Sequence, residues 1–209
     1  MCIYIITMLT YFDVGANSGE SMMHYAREDS VVYAFEPTPE MIRILKKESN
    51  GNPNYRIIEK AVADYNGTST FYVSGNQDWG CSSLNTFNDN LEQTWPGRTD
   101  FRVTDQITVE VIRLDGFIEE HGIEEIEFFH CDTQGKDLEV LFGMGTHLRK
   151  IKKGVIESAT SHDTKLYKDQ KYIVDDAVAF LKDNGFNVDS IASNDVHNNE
   201  VNIYFSRIN

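Results

Sequence analysis

FDVGANSG, residues 12–19, closes an apolar run and sets Asp13 ahead of two glycines, Gly15 and Gly19, with Asn17 between them. A strand whose end meets a nucleotide needs residues that let the backbone come close, and a neighbouring helix start offers unpaired N–H groups. A dinucleotide site asks for G-x-G-x-x-G, whose third glycine lets a helix pack closely behind a pyrophosphate. This stretch reads D-x-G-x-N-x-G, which disfavours an NAD-dependent oxidoreductase. About twenty residues on, Glu36 in AFEP ends the next apolar run, where a carboxylate can accept both hydroxyls of a ribose. Adenosine without a pyrophosphate is the better fit. The competing reading makes Asp13 a helix cap and the glycines ordinary turn residues.

Outward from that stretch, strand and helix patterns alternate. LTYFDV leads into a helix predicted over SGESMMHYARED, with Met22, Tyr25 and Ala26 on one face, and VVYAF fits a buried parallel strand. Thr38 is placed to cap the next helix, Pro39 suits its first position, and Met41, Ile42 and Leu45 form its apolar stripe. YRIIEKAV is a third strand, completing half of a doubly wound sheet. TSTFYVS and ITVEVIRL alternate as half-exposed strands, a β-hairpin insertion. Beyond Gly122, IEFFHCD is a strand, DLEVLFGM a helix with Leu138, Leu141 and Phe142 inward, and KGVIES a strand. YIVDDAVAFLKDN is a helix with Ile173, Ala177, Phe180 and Leu181 inward, and Gly185 is its left-handed stop. FNVDSIA and EVNIYFS have no helix between them and read as an antiparallel pair. The expectation is one α/β domain over residues 1–209, a mostly parallel sheet with an antiparallel C-terminal strand.

Composition narrows the partners. The 209 residues are 41% hydrophobic, enough for a sizeable core. Acidic side chains outnumber basic ones 33 to 19, and the net charge of −14 repels phosphate backbones, so no nucleic-acid partner is expected. Cys2, Cys81 and Cys131 share no metal-ligand spacing, which points to a reducing, cytoplasmic setting, with Cys131 in the core. The opening MCIYIITMLTYF has no basic lead and is too short to span a bilayer, so neither a signal peptide nor a membrane partner is expected.

Between the two hairpin strands lies a long polar segment, residues 75–106, read as a functional cover or else as disordered chain. Trp79 and Trp95 are its anchors or ordinary core.

FDVGANSG, AFEPTPEM, KAVADYNGTSTFYV, GCSSL, VIRLDGFIEEHGIEEIEFFHCDTQGKDLEVLFGM and GVIE, in that order over nearly the whole chain, together resemble FkbM-type methyltransferases. The resemblance implies a Rossmann-like class I fold binding S-adenosyl-L-methionine. It implies cofactor contacts from Asp13, Gly15, Ala16, Asn17 and Gly19 towards the methionine part, and from Glu36 and Pro37 at the ribose. Ala61, Val62 and Asp64 complete the set, although Asp64 reads equally well as the start of a turn. The family pattern at the fourth strand is Lys-Ile-Asp-Val-Glu-Gly, and here His130 and Gln134 stand at the lysine and glutamate positions. Many members carry additional sequence before the first strand that shields the cofactor. The given chain begins close to that strand, so the 75–106 segment is expected to supply the cover.

Methyl transfer asks mainly for positioning and, for an alcohol, removal of its proton. Candidate bases at strand ends are Asp132 first, then Glu157, then His162. Two of them have a rival role, Asp132 as a cap or loop-orienting residue and His162 as a solvated surface group. The combined reading is O-methylation of a hydroxyl on a sugar or other small metabolite. A cofactor-binding protein without turnover is the alternative. No ligand cluster for a metal is evident.

Overall fold

In the computed structural model, which describes residues 8–75, 79–98 and 100–208, the chain runs through ten strands and five α-helices. In order these are β1 (Leu9–Val14), β2 (Ser30–Phe35), α1 (Pro39–Glu48), β3 (Tyr55–Ile58), β4 (Ala61–Val62), β5 (Gly67–Ser74), α2 (Leu91–Thr94) and β6 (Val103–Ile112). They continue with α3 (Leu114–Glu120), β7 (Phe128–Cys131), α4 (Asp137–Gly143), β8 (Lys153–Ala159), α5 (Val174–Asp183), β9 (Phe186–Ser193) and β10 (Glu200–Arg207). Seven strands form one sheet in the order β3-β2-β1-β7-β8-β10-β9, with β10 antiparallel to both neighbours. The strand order reverses between β1 and β7, which opens a crevice at their carboxyl ends. This is the expected α/β, doubly wound, mostly parallel sheet with its antiparallel C-terminal pair. The hairpin insertion is β5 and β6, which join β4 in a separate three-stranded sheet.

The main core lies where Phe12, Val14, Phe129, Ile156 and Ile203 of the sheet meet Leu114, Leu138, Leu141 and Leu181 of the helices. A second cluster on the other face joins Val32 and Ala34 to Leu45 and Met22. Cys131 is in the main core. Among the described residues no helix is long and apolar enough to cross a membrane.

Several local expectations are corrected. The predicted helix after residue 18 is a single 3₁₀ turn, Met23–Tyr25. Gly15, Asn17 and Gly19 all have positive φ, so turns consume the chain that a helix would need. The Ser30 hydroxyl donates to the Tyr25 carbonyl and accepts the Arg27 N–H, stopping any extension. The apolar side chains still face the sheet, and Tyr25 stacks on Tyr11 at 4.8 Å. YRIIEKAV is two strands in two sheets, broken where the Lys60 N–H turns back onto the Ile58 carbonyl at 2.8 Å. Thr38 holds the N-cap position of α1 without a capping bond from its side chain. Phe142 and Phe180 are half-buried and pack on each other edge-on, 4.9 Å apart, rather than entering the core. Ile173 caps α5 from outside, its N–H donating to Asp176.

The described part of the 75–106 segment is built, not bare. Val103–Gln106 belong to β6, Tyr72 pairs with Ser83, and Trp95 is 2% exposed in a cluster with Leu166 and Tyr167. The indole N–H of Trp95 donates to the Thr164 carbonyl at 3.1 Å. Residues 86–90 run beside 163–168 through paired backbone bonds, Asn88 N–H to Leu166 and Lys168 N–H to Thr86. The Trp79 side chain and residues 1–7, Cys2 included, lie outside the described residues.

Candidate active site

The crevice at the switch in strand order is a cleft with about 510 Å³ of empty space, part of it open to solvent. Its walls come from the loop after β1 (Gly15, Asn17), the turn after β2 (Glu36, Pro37, Thr38), β4 with Lys60 before it, and the loop after β7 (Asp132, Thr133, Gln134). Phe71 of β5 and Gly80, Ser82 and Leu84 close the remaining side.

Backbone bonds hold the first loop in place. The N–H groups of Gly15 and Ala16 both donate to the Phe35 carbonyl at 3.0 Å, and the Asp132 N–H donates to Val14 at 2.9 Å. Gly15 is required for a reason other than ligand approach. A Cβ there would stand 1.9 Å from the Asp132 carbonyl oxygen, so the missing side chain lets the β1 and β7 loops touch. At Gly19 a Cβ would strike Met23, Leu45 and the Tyr55 hydroxyl, again protein rather than cleft.

Glu36 is 5% exposed. One carboxyl oxygen accepts the Asn17 N–H at 2.9 Å and the other the Thr38 N–H at 2.7 Å. The Thr38 hydroxyl is a third hydrogen-bond donor to this carboxyl, and since a carboxylate has about four acceptor positions, Glu36 keeps one open. Burial pushes its pKa up, opposed by the hydrogen bonds from Thr38 and Asn17.

Across the cleft, Asp132 accepts the Gln134 side-chain N–H at 2.6 Å, and the same amide nitrogen lies 3.1 Å from Glu157. Glu157 is buried, and Asn194 donates to its other oxygen. Burial, then the neighbouring Asp132, Glu200 and Asp137, hold the Glu157 carboxyl well above the usual carboxylate range. Asp137, buried and beside Asp132, is raised to about 7, and Glu200, also buried, to about 8.

Of the residues singled out from the sequence, the cleft brings together Gly15, Asn17, Glu36, Pro37, Ala61, Val62 and Asp132. Asp13 lies behind it, fully buried, 2.9 Å from the His130 imidazole. Ala16 and Gly19 shape the loop without lining the cleft. Asp64 is exposed at a turn, its carbonyl accepting Arg113. Glu157 is buried and does not line the cleft, its carboxyl beside Asp132 and the Gln134 amide, and His162 is exposed on the loop after β8. Sequence reasoning passed over Lys60, Phe71, Ser82, Leu84 and Thr133 as lining residues. Ser82 and Leu84 fall in GCSSL, and Phe71 is an inward position of an alternating strand, so both signals were present.

Residues 13–188 match the Methyltransferase FkbM domain. The 2-O-methyltransferase NoeI of Sinorhizobium fredii is 28% identical over 166 residues, 76% of this chain and 65% of that protein. The methyltransferase FkbM of Methylobacillus flagellatus superposes with a TM-score of 0.57 at 14% identity, over 98% of this chain and 45% of that one. The magnesium protoporphyrin IX methyltransferase of Synechocystis, solved with bound S-adenosylmethionine, gives 0.51 at 13% identity, over 98% and 72%. The chain thus spans less than two thirds of the NoeI and FkbM proteins, and the two structures share its fold. With the matched domain covering most of its length, the chain belongs to the FkbM methyltransferase family.

Proposed function

We propose that this protein transfers a methyl group from S-adenosylmethionine to a hydroxyl of a sugar or other small metabolite. The observation that carries the reading is Glu36, a buried carboxylate just after β2 that lines the cleft, held by Asn17 and Thr38 and keeping an acceptor position open. A ribose hydroxyl is a donor suited to that position, and the strand-end location is where ligands bind in this architecture. When bound, the cofactor supplies an electrophilic methyl on a sulfonium, so the protein has mainly to orient the acceptor and take its proton.

Asp132 is the group in the cleft placed to accept that proton, since its side chain lines the cleft, is less buried than Glu36 and is held in place by Gln134. His162, exposed on its loop, is the weaker choice. Residues 79–98, which pass over the cleft through Gly80, Ser82 and Leu84, serve as the wall that excludes water and seats the acceptor. The choice of oxygen as acceptor atom is supported by the likeness to a 2-O-methyltransferase.

Calorimetry with S-adenosylhomocysteine, followed by transfer of a labelled methyl group into a panel of monosaccharides and hydroxylated metabolites, tests the reading. Binding with transfer to oxygen is expected. Binding without transfer to any acceptor favours a cofactor-binding protein without turnover, and failure to bind overturns the assignment.

A further inference from the structure

Gln134 stands where the resembling family carries a glutamate, and its surroundings use the difference. It is one of four described non-glycine residues with positive φ, at 58°, a conformation that a long side chain adopts only when its neighbours hold it there. Its backbone carbonyl accepts the Ser83 hydroxyl at 2.6 Å. Its side-chain amide donates to Asp132 at 2.6 Å and to Glu157 at 3.1 Å, while its carbonyl oxygen accepts the Tyr167 hydroxyl at 2.6 Å. Tyr167 is 1% exposed, so this partner is fixed by packing. A primary amide can donate twice and accept at the same time without gaining or losing a proton, whereas a carboxylic acid has one proton to give and a carboxylate none.

We propose that Gln134 is a positioning residue for methyl transfer, an uncharged clamp that ties Asp132 to Glu157 and aims the Asp132 carboxylate into the cleft at any pH. The proposal rests on the reading of Asp132 as the acceptor's base, and Gln134 acts through it. The titratable groups that face the clamp are Asp132 and Asp137 around the β7–α4 loop, Glu157 of β8, Glu200 of β10, and Tyr167 and Cys81 from the covering loops. Two basic groups act on this cluster, Arg98 through Glu200 and the His130 imidazole through Asp132 and Asp137. A glutamate at position 134 would add a carboxyl to a place already crowded with them. It could bridge Asp132 and Glu157 only while protonated.

The test compares Gln134→Glu and Gln134→Met with the wild type in two independent readouts. Thermal unfolding from pH 5 to 9 needs no substrate. The introduced glutamate has a folded pKa raised by burial and by like charges, so its stabilising contribution is present at low pH and is lost as pH rises through that value. The Tm gap between Gln134→Glu and wild type should therefore widen with pH, while the gap for Gln134→Met stays constant. In turnover, Gln134→Glu should acquire an alkaline limb that the wild type lacks, falling about tenfold per pH unit. Gln134→Met should lose about tenfold or more in kcat at every pH, with acceptor KM and S-adenosylhomocysteine affinity changed less than about threefold. A Tm gap for Gln134→Glu that does not vary with pH overturns the clamp, whether or not an acceptor has been found. Wild-type kcat in Gln134→Met overturns the positioning role. An absence of turnover in the wild type with a widening Tm gap instead overturns the methyltransferase reading and keeps the clamp.

Discussion

His130 Nδ1 lies 2.9 Å from Asp13 Oδ1, and Asp13, at 0% exposure, has no other partner for its second oxygen among the described residues. Burial opposes charge on the imidazole, but the hydrogen bond and charge of Asp13, with Asp132 and Asp137 beyond it, win and raise the His130 pKa. A raised folded pKa makes the stabilisation fully present below the unfolded value and lost as pH rises through the folded one. His130→Gln should therefore destabilise by about 1.5–3 kcal/mol at pH 6 and by less at pH 9. His130→Lys, which restores the residue type of the resembling family, should hold the pairing to higher pH. Denaturant unfolding at the two pH values decides. Equal losses in His130→Gln at both would show that the pair is not charge-dependent.

Gly15 and Gly97 share a φ of +83° but differ in space, since a Cβ at Gly15 meets the Asp132 carbonyl and one at Gly97 meets nothing within 4 Å. Gly97→Ala should cost about 1 kcal/mol from backbone conformation alone. Gly15→Ala should cost several-fold more, about 3 kcal/mol or above, because backbone must move. Similar midpoints in urea for the two variants would show that the β1–β7 loop contact adapts cheaply.

Glu36→Ala removes the acceptor for two backbone N–H groups and, in the proposed complex, for the ribose. Charge-assisted bonds of about 1.5–3 kcal/mol each predict a loss of S-adenosylhomocysteine affinity of about tenfold to hundredfold. Calorimetry on a variant with native circular dichroism measures it. Wild-type affinity there would remove Glu36 from the cofactor site.

Asp137 at about 7 and Glu200 at about 8 hold protons in the fold that they release on unfolding near neutrality. Stability should accordingly decline from pH 5 to 8, since the folded state binds more protons over that window. Glu200→Gln removes one such group and should flatten the decline by up to about 1.4 kcal/mol per pH unit. A slope unchanged by the substitution would mean that Glu200 does not carry the proton.

Trp95, Leu166 and Tyr167 join the segment over the cleft to the loop after β8. Trp95→Ala deletes a buried indole and its bond to Thr164, a loss of about 3–5 kcal/mol if the whole domain feels it. The bonds linking 86–90 to 163–168 predict a local result instead, with hydrogen exchange rising in both segments together while β1 and β7 stay protected. Faster exchange in one segment only would show that they do not open as a unit.

The sequence by itself determined the order of strands and helices wherever a side-chain period ran long enough, as in α1 with Met41, Ile42 and Leu45, or the antiparallel β9 and β10. It also marked Glu36 and Asp132, because a carboxylate directly after an apolar strand can only lie at a strand end. It could not separate YRIIEKAV into two sheets or reduce the 22–26 stripe to one turn, since both were decided by backbone bonds and positive φ angles that leave apolar spacing unchanged. Nor could it show that Gly15 yields space to Asp132, which is 117 residues away along the chain and in contact only once β1 pairs with β7. The same holds for Gln134, between Asp132, Glu157 and Tyr167. Asp132 is its near neighbour, but Glu157 and Tyr167 come from a strand and a loop further along the chain, and only the closed sheet brings them within hydrogen-bond reach.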